Sequence, residues 1–139
     1  MINHLTKPMI RLKGGLILGD TLTMLVVVWI GRLSHVVNIW DLSGLLATAG
    51  PFLLGWFAVM PFMGLFQSHI LINWAKLWPR LTLGWAFIGL PLSLILRSIS
   101  LGRPAIQGII PTFAAVMLIT TTLAMLGWRR GYIWWSQSR

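Results

Sequence analysis

Four long apolar runs leave this chain little choice of solvent. They cover about residues 14–32, 42–66, 81–101 and 104–128. About 20 helical residues cross the ~30 Å hydrocarbon core of a bilayer, and each run is long enough to do so. The second and fourth runs hold no ionisable side chain. The third reaches its length only if Arg97 snorkels outward. The pattern predicts an all-α membrane protein, a four-transmembrane-helix bundle that forms one integral membrane domain over residues 1–139.

Composition agrees with that solvent. Charged residues make up 9% of the chain and mean hydropathy is +0.82, whereas soluble domains carry about 25% charge. A surface so poor in charge belongs against lipid. The net charge of +9 comes from 11 Lys and Arg residues against two acids, Asp20 and Asp41. The basic residues flank apolar runs instead of forming a patch interleaved with aromatics. That distribution suits lipid headgroups and argues against nucleic acid as a partner.

The same charges predict orientation. Lys7, Arg11, Lys13, Lys76, Arg80, Arg129, Arg130 and Arg139 fall on one side of the four spans; Arg32, Arg97 and Arg103 fall on the other. Eight against three places both termini in the cytoplasm, and a bacterial inner membrane is the expected location. The basic start followed by an apolar run resembles a signal peptide, but no small-x-small cleavage site follows. The run is therefore read as a first spanning helix that stays attached. Ile2 and Ser138-Arg139 fit no lipidation motif.

Residues 67–78 separate the second and third runs. Ile70, Trp74, Leu77 and Trp78 share one helical face, which predicts a short interfacial amphipathic helix. Six of the nine tryptophans, at positions 40, 74, 78, 128, 134 and 135, lie near expected span ends, as an aromatic belt requires. Pro51, Pro61, Pro91 and Pro111 fall within the second, third and fourth spans, where each removes a backbone donor and frees a carbonyl. They are read first as packing kinks and second as hinges. Gly15 and Gly19 form a GxxxG that allows close approach of another helix, with Gly31 and Gly55 as further packing glycines. Asp20, Thr23, Val27 and Gly31 fall near one line of the first helix, a stripe expected to face the bundle interior.

Asp20 is the candidate with most chemical content, because it is the one acid inside an apolar run. A bare carboxylate there is costly, so it must be paired, hydrogen-bonded or hydrated. One reading makes it a structural carboxylate bonded to Thr or Trp, or paired with Arg80, Arg129 or Arg130. The other makes it an ion- or proton-binding group. On the opposite side Arg32, His35, Thr48 and Arg97 could hold an outer anion, against the plainer reading of interfacial arginines with Asp41 as counter-charge.

Catalytic patterns are absent. The lack of cysteine removes disulfides, thiolate catalysis and Cys-ligated metals. An intramembrane aspartyl protease needs two acids at one depth, no span contains a histidine for a Ser-His dyad, and no Gly-rich phosphate loop is present. His4, His35 and His69 are divided between two faces, so no metal site is expected, and a tetrapyrrole ligand at His69 is less plausible than an ordinary interfacial histidine. No enzyme and no cofactor are expected.

Several blocks together resemble a known family. Gly19-Asp20, Gly31-Arg32-Leu33-Ser34-His35, and Ala49-Gly50-Pro51-Phe52-Leu53-Leu54-Gly55-Trp56 come first. Arg97, Pro111-Thr112-Phe113 and Gly127-Trp128-Arg129 follow in order. They are similar to the blocks of the domain-of-unknown-function-3054 family over about residues 15–130. The resemblance implies a four-helix membrane protein of bacteria and plastids, and it implies no activity. The tail from Gly131 to Arg139, with Trp134-Trp135, departs from it. The expected role is a non-catalytic accessory or assembly subunit of a larger membrane complex, whose partners are the lipid bilayer and a membrane protein or further copies of itself. The alternative is a small oligomeric transporter or channel component with Asp20 as coupling carboxylate.

Overall fold

The computed structural model describes residues 3–35, 37–38, 40–107 and 109–139, with side chains described from Lys13 onward. The expectations for Ile2, His4, Lys7 and Arg11 fall on residues or side chains outside that set. Among the described residues six α-helices follow in order: α1 (Asn3–Leu33), α2 (Leu42–Val59), α3 (Ser68–Leu71), α4 (Trp74–Gly84), α5 (Leu90–Ser100) and α6 (Pro111–Gln137). A π-helical turn, Trp85–Gly89, joins α4 to α5. Four rods are long and apolar enough to cross a membrane: Lys13–Leu33, Leu42–Val59, Trp74–Ser100 and Pro111–Gln137. They close into a ring in which α1 packs on α2 and α6, and the α4–α5 rod packs on α2 and α6. The four-helix bundle expected from the apolar runs is the fold. The first half of α1 meets the last half of α6, with Gly15 against Tyr132 and Gly19 against Trp128, so α1 and α6 run antiparallel.

The element ends differ from the sequence reading, and prolines explain most of the difference. The second span stops at Val59, not at residue 66, because Pro61 has no N–H to give and its ring crowds the Phe57 carbonyl. A compact turn follows, in which Gly64 takes φ +74° and its N–H bonds the Pro61 carbonyl at 3.0 Å. The third span starts at Trp74, not at 81, so residues 67–78 are no separate amphipathic helix. They divide between the single turn α3 and the first turn of α4. Pro91 sits just past the π-helical turn, where the Leu90 N–H reaches back to the Trp85 carbonyl. The wider turn accommodates a residue that cannot bond the Phe87 carbonyl. The α5 helix ends in a Schellman motif: Gly102 has φ +66°, and the Arg103 and Gly102 N–H groups bond Ser98 and Ile99 carbonyls at 2.9 Å each.

The largest shift is in the fourth span. Residues 104–107 and 109–110 are irregular, and α6 runs from Pro111 through the tail to Gln137. Pro111 occupies the first helical turn, where a missing N–H costs nothing, so it opens the helix and does not kink it. Pro51 lies inside α2 and Pro91 inside the continuous Trp74–Ser100 rod, as expected, and Pro79, expected before the third span, lies inside α4. The continuous α6 takes Trp128 and Arg129 well away from a helix end.

The small residues behave as packing devices with more specific partners than expected. A Cβ on Gly19 would fall within the Trp128 indole, and one on Gly15 would meet the Tyr132 hydroxyl. The GxxxG of α1 thus seats two aromatic rings of α6. Trp128 is accordingly a wedge between helices, whereas Trp40, Trp74, Trp78, Trp134 and Trp135 are exposed as an aromatic belt would be. Gly55 lets α2 approach the Ser93 hydroxyl and the Gly89 carbonyl. Gly31 is exposed with open space around it, so the expected interior stripe is rotated. The buried line of α1 is Leu16, Asp20, Met24 and Val28, while Thr23 and Val27 are only half-buried. A face centred between α2 and α6 follows the i+4 ridge.

Candidate functional site, a buried ion pair

Asp20 and Arg129 meet in the core with no exposed surface on either side chain. Asp20 stands on the buried ridge of α1. Arg129 stands on the buried line of α6 that runs through Met117, Thr121, Met125 and Arg129, spaced by four residues. The guanidinium spans the carboxylate in a fork: Nε donates to Oδ1 at 3.2 Å and Nη2 donates to Oδ2 at 2.5 Å. The Trp56 indole N–H of α2 donates to Oδ2 at 3.0 Å. The remaining arm, Nη1, donates to the Leu65 carbonyl at 2.6 Å. That carbonyl is available because Pro61 ended α2 and turned the chain out of helical bonding. The guanidinium carbon also lies 5.0 Å from the Phe66 ring centroid and 5.9 Å from that of Trp56.

Every charged atom of the pair therefore has a partner. This is the condition under which a buried ion pair is tolerated, since desolvation costs several kcal/mol per ion and must be offset by geometry and additional hydrogen bonds. Trp85, fully buried at the start of the π-helical turn, packs edge-on against Trp56 with centroids 5.4 Å apart. The cluster thus draws on α1, α2, the turn after it, the third rod and α6.

Of the three arginines considered for Asp20, only Arg129 reaches it. Arg80 donates to the Met63 carbonyl at 3.3 Å, and Arg130 lies over the Trp74 ring at 5.1 Å. Sequence reasoning named Arg129 as one of three but set it at the edge of the span, because the fourth run was closed at Trp128. The signal that would have singled it out is the tail itself. Trp134 and Trp135 mark where α6 meets the interface, which sets Arg129 more than a turn inside.

The outer candidates separate. Arg32 donates to the Asn38 carbonyl at 3.0 Å and to the Thr48 hydroxyl at 3.3 Å, with Asp41 at 4.0 Å. Thr48 in turn donates to the Gly44 carbonyl at 2.8 Å. The Ser43 hydroxyl, donating to Asp41 at 2.8 Å, is the main influence holding that carboxyl below its ordinary range; the Gly44 backbone N–H and the Arg32 charge act in the same direction. Arg97 instead covers the Phe113 ring at 4.8 Å, and His35 is exposed. The His35 backbone N–H donates to the Arg32 carbonyl at 3.1 Å, closing the end of α1, and no side-chain hydrogen bond or ion pair among the described residues joins Arg97 or His35 to Arg32. Arg32 and Thr48 are in direct contact, while the contact shown for the Arg97 side chain is the Phe113 ring. No group of three His, Cys, Asp or Glu side chains suited to a metal occurs among the described residues, and His69 lies exposed in the one-turn α3.

With this geometry in view, the comparison with known families has a clear result. A family model described as "Protein of unknown function (DUF3054)" matches residues 17–132. The chain belongs to that family. The stretch matched by DUF3054 holds Asp20, Trp56, Leu65 and Arg129, so the whole buried cluster lies within it, and it stops short of Trp134-Trp135. No curated protein and no solved structure matches the chain.

Proposed function

We propose that this DUF3054 protein is a non-catalytic accessory or assembly subunit of a larger membrane complex in the bacterial inner membrane, with both termini cytoplasmic. The observation that carries this reading is the complete engagement of Asp20. Its two oxygens accept from Arg129 and Trp56, and no face of it is exposed. A carboxylate so held serves helix association and offers nothing to a substrate. The orientation rests on the charges left after pairing. Lys7, Arg11, Lys13, Lys76, Arg80, Arg130 and Arg139 face the side of the termini, against Arg97 and Arg103 on the other. Tagged protein extracted in mild detergent should migrate with a stoichiometric membrane-protein partner, whose abundance falls when this chain is deleted. Migration without such a partner, or a partner indifferent to the deletion, ends the reading.

A second function draws support from a different observation. The Trp85 indole N–H and the Thr121 and Thr122 hydroxyls are buried with no partner among the described residues, and buried polar groups ordinarily have one. They make the interior around the pair more polar than helix packing alone needs. In that reading the chain is an oligomeric transporter or channel component that couples ion or proton movement to Asp20. Asp20→Asn would then abolish flux in proteoliposomes at an unchanged amount of folded protein, and normal flux would exclude it.

A further inference from the structure

The lipid-facing side of α1 and α6 carries a feature that neither reading uses. Beside the seats of Trp128 and Tyr132 lies a groove of about 510 Å³ walled by Leu18, Leu22, Val26 and Ala124 together with those rings. That size falls within the ~300–1,000 Å³ of ordinary ligand pockets. The groove follows α1 from Gly15 to Ile30, about 22 Å at 1.5 Å per residue, which is most of the ~30 Å hydrocarbon depth. A second hollow of about 470 Å³ over Gly127, Gly131 and Trp135 also has Trp128 and Tyr132 in its wall.

The aromatic wall leads to positive charge. Trp128 and Tyr132 have centroids 5.2 Å apart, Tyr132 and Trp135 6.2 Å, and the Arg139 guanidinium lies 4.2 Å over Trp135. Lys13, exposed, stands two residues before Gly15 at the same end of the bundle. Neither acid can answer these cations. Asp20 is consumed by Arg129, and Asp41 lies beyond the opposite end of α1.

We infer that this surface binds one anionic phospholipid, an acyl chain lying along the α1–α6 groove and the phosphate between Lys13 and Arg139. Hydrocarbon suits the groove and an anion suits its end; an anionic phospholipid joins the two in one molecule. A second copy of this chain would set like charges against each other at the same level.

The test is native mass spectrometry of the full chain from neutral detergent, titrated with phosphatidylglycerol and with phosphatidylcholine of identical acyl chains. One phosphatidylglycerol should be retained under conditions that strip phosphatidylcholine. Lys13→Gln and Arg139→Gln should each weaken that retention about fivefold, the effect of one cation near a membrane surface. Arg103→Gln at the opposite end should leave it unchanged, and Leu22→Trp, which narrows the groove, should weaken both lipids. Equal retention of the two lipids, an Arg103→Gln loss matching the others, or a lipid-free dimer would overturn the site.

Discussion

Both acids of this chain face an arginine, and the two pairs could hardly be placed more differently. Asp20–Arg129 is fully buried, doubly bonded and closed by Trp56 and the Leu65 carbonyl. Asp41–Arg32 is 4.0 Å apart beside the first loop, with Asp41 also bonded by Ser43 and Arg32 also bonded by Asn38 and Thr48. The chemistry is the same, and the medium decides its consequence. At the loop, water and alternative partners stand in for either member. In the core nothing does, so losing one member leaves a bare charge. The inner pair joins the first and last spans, which are the most distant in sequence, whereas the outer pair ties a helix end to the loop that follows it. One pair closes the ring of helices; the other trims a connection.

The sharpest way to break this contrast is Arg129→Met. It strands Asp20 in the core at a cost of about 3–5 kcal/mol, and should sharply lower the yield and the melting temperature of the detergent-purified protein. The double substitution Asp20→Leu with Arg129→Met should recover most of that loss, because a buried pair replaced by apolar groups of similar volume is nearly neutral. Failure of the double variant to recover would mean that the pair does more than balance itself. The next effect is that of Trp56→Phe, which deletes the indole donor and keeps most of the ring. Loss of one hydrogen bond to a charged acceptor is worth about 1.5–3 kcal/mol, so a melting temperature between those of wild type and Arg129→Met is expected. Parity with wild type would show that Arg129 alone satisfies the carboxylate.

The same contrast separates what the sequence could reveal from what it could not. Four apolar runs made the bundle legible, because crossing a bilayer demands length and hydropathy and little else. Asp20 announced itself by its solitude in such a run, and GxxxG announced a close helix contact. Helix ends were less legible. The apolar composition of 60–66 hid a turn that Pro61 and Gly64 build, and that turn supplies the Leu65 carbonyl. The partner of Asp20 was narrowed to three arginines and no further, since choosing among them required the register of α6 against α1. That register is set by the fit of Trp128 and Tyr132 on Gly19 and Gly15, contacts spanning more than a hundred residues. The outer arginines take local partners that the sequence does not single out: Arg32 bonds Asn38 and Thr48, and Arg97 covers Phe113.

The smallest effects belong to the outer pair, and acid is the probe that distinguishes it. Asp41 has its carboxyl held below the ordinary value, first by Ser43 and then by Gly44 and Arg32. A depressed folded-state value means that the unfolded chain binds the proton more readily, so stability from this group is fully present above the ordinary carboxylate value of about 3.9. It is lost as the pH falls below that value and through the depressed one. Acid titration of the melting temperature should thus show a slight decline below about pH 4 that Asp41→Asn removes, while at neutral pH Asp41→Asn and Arg32→Gln should each melt close to wild type, as a pair 4.0 Å apart with its carboxylate in water contributes little. A neutral-pH loss from either substitution comparable to that of Trp56→Phe would collapse the distinction between the two pairs. It would make the first loop, like the core, a place where charge pairing holds helices together.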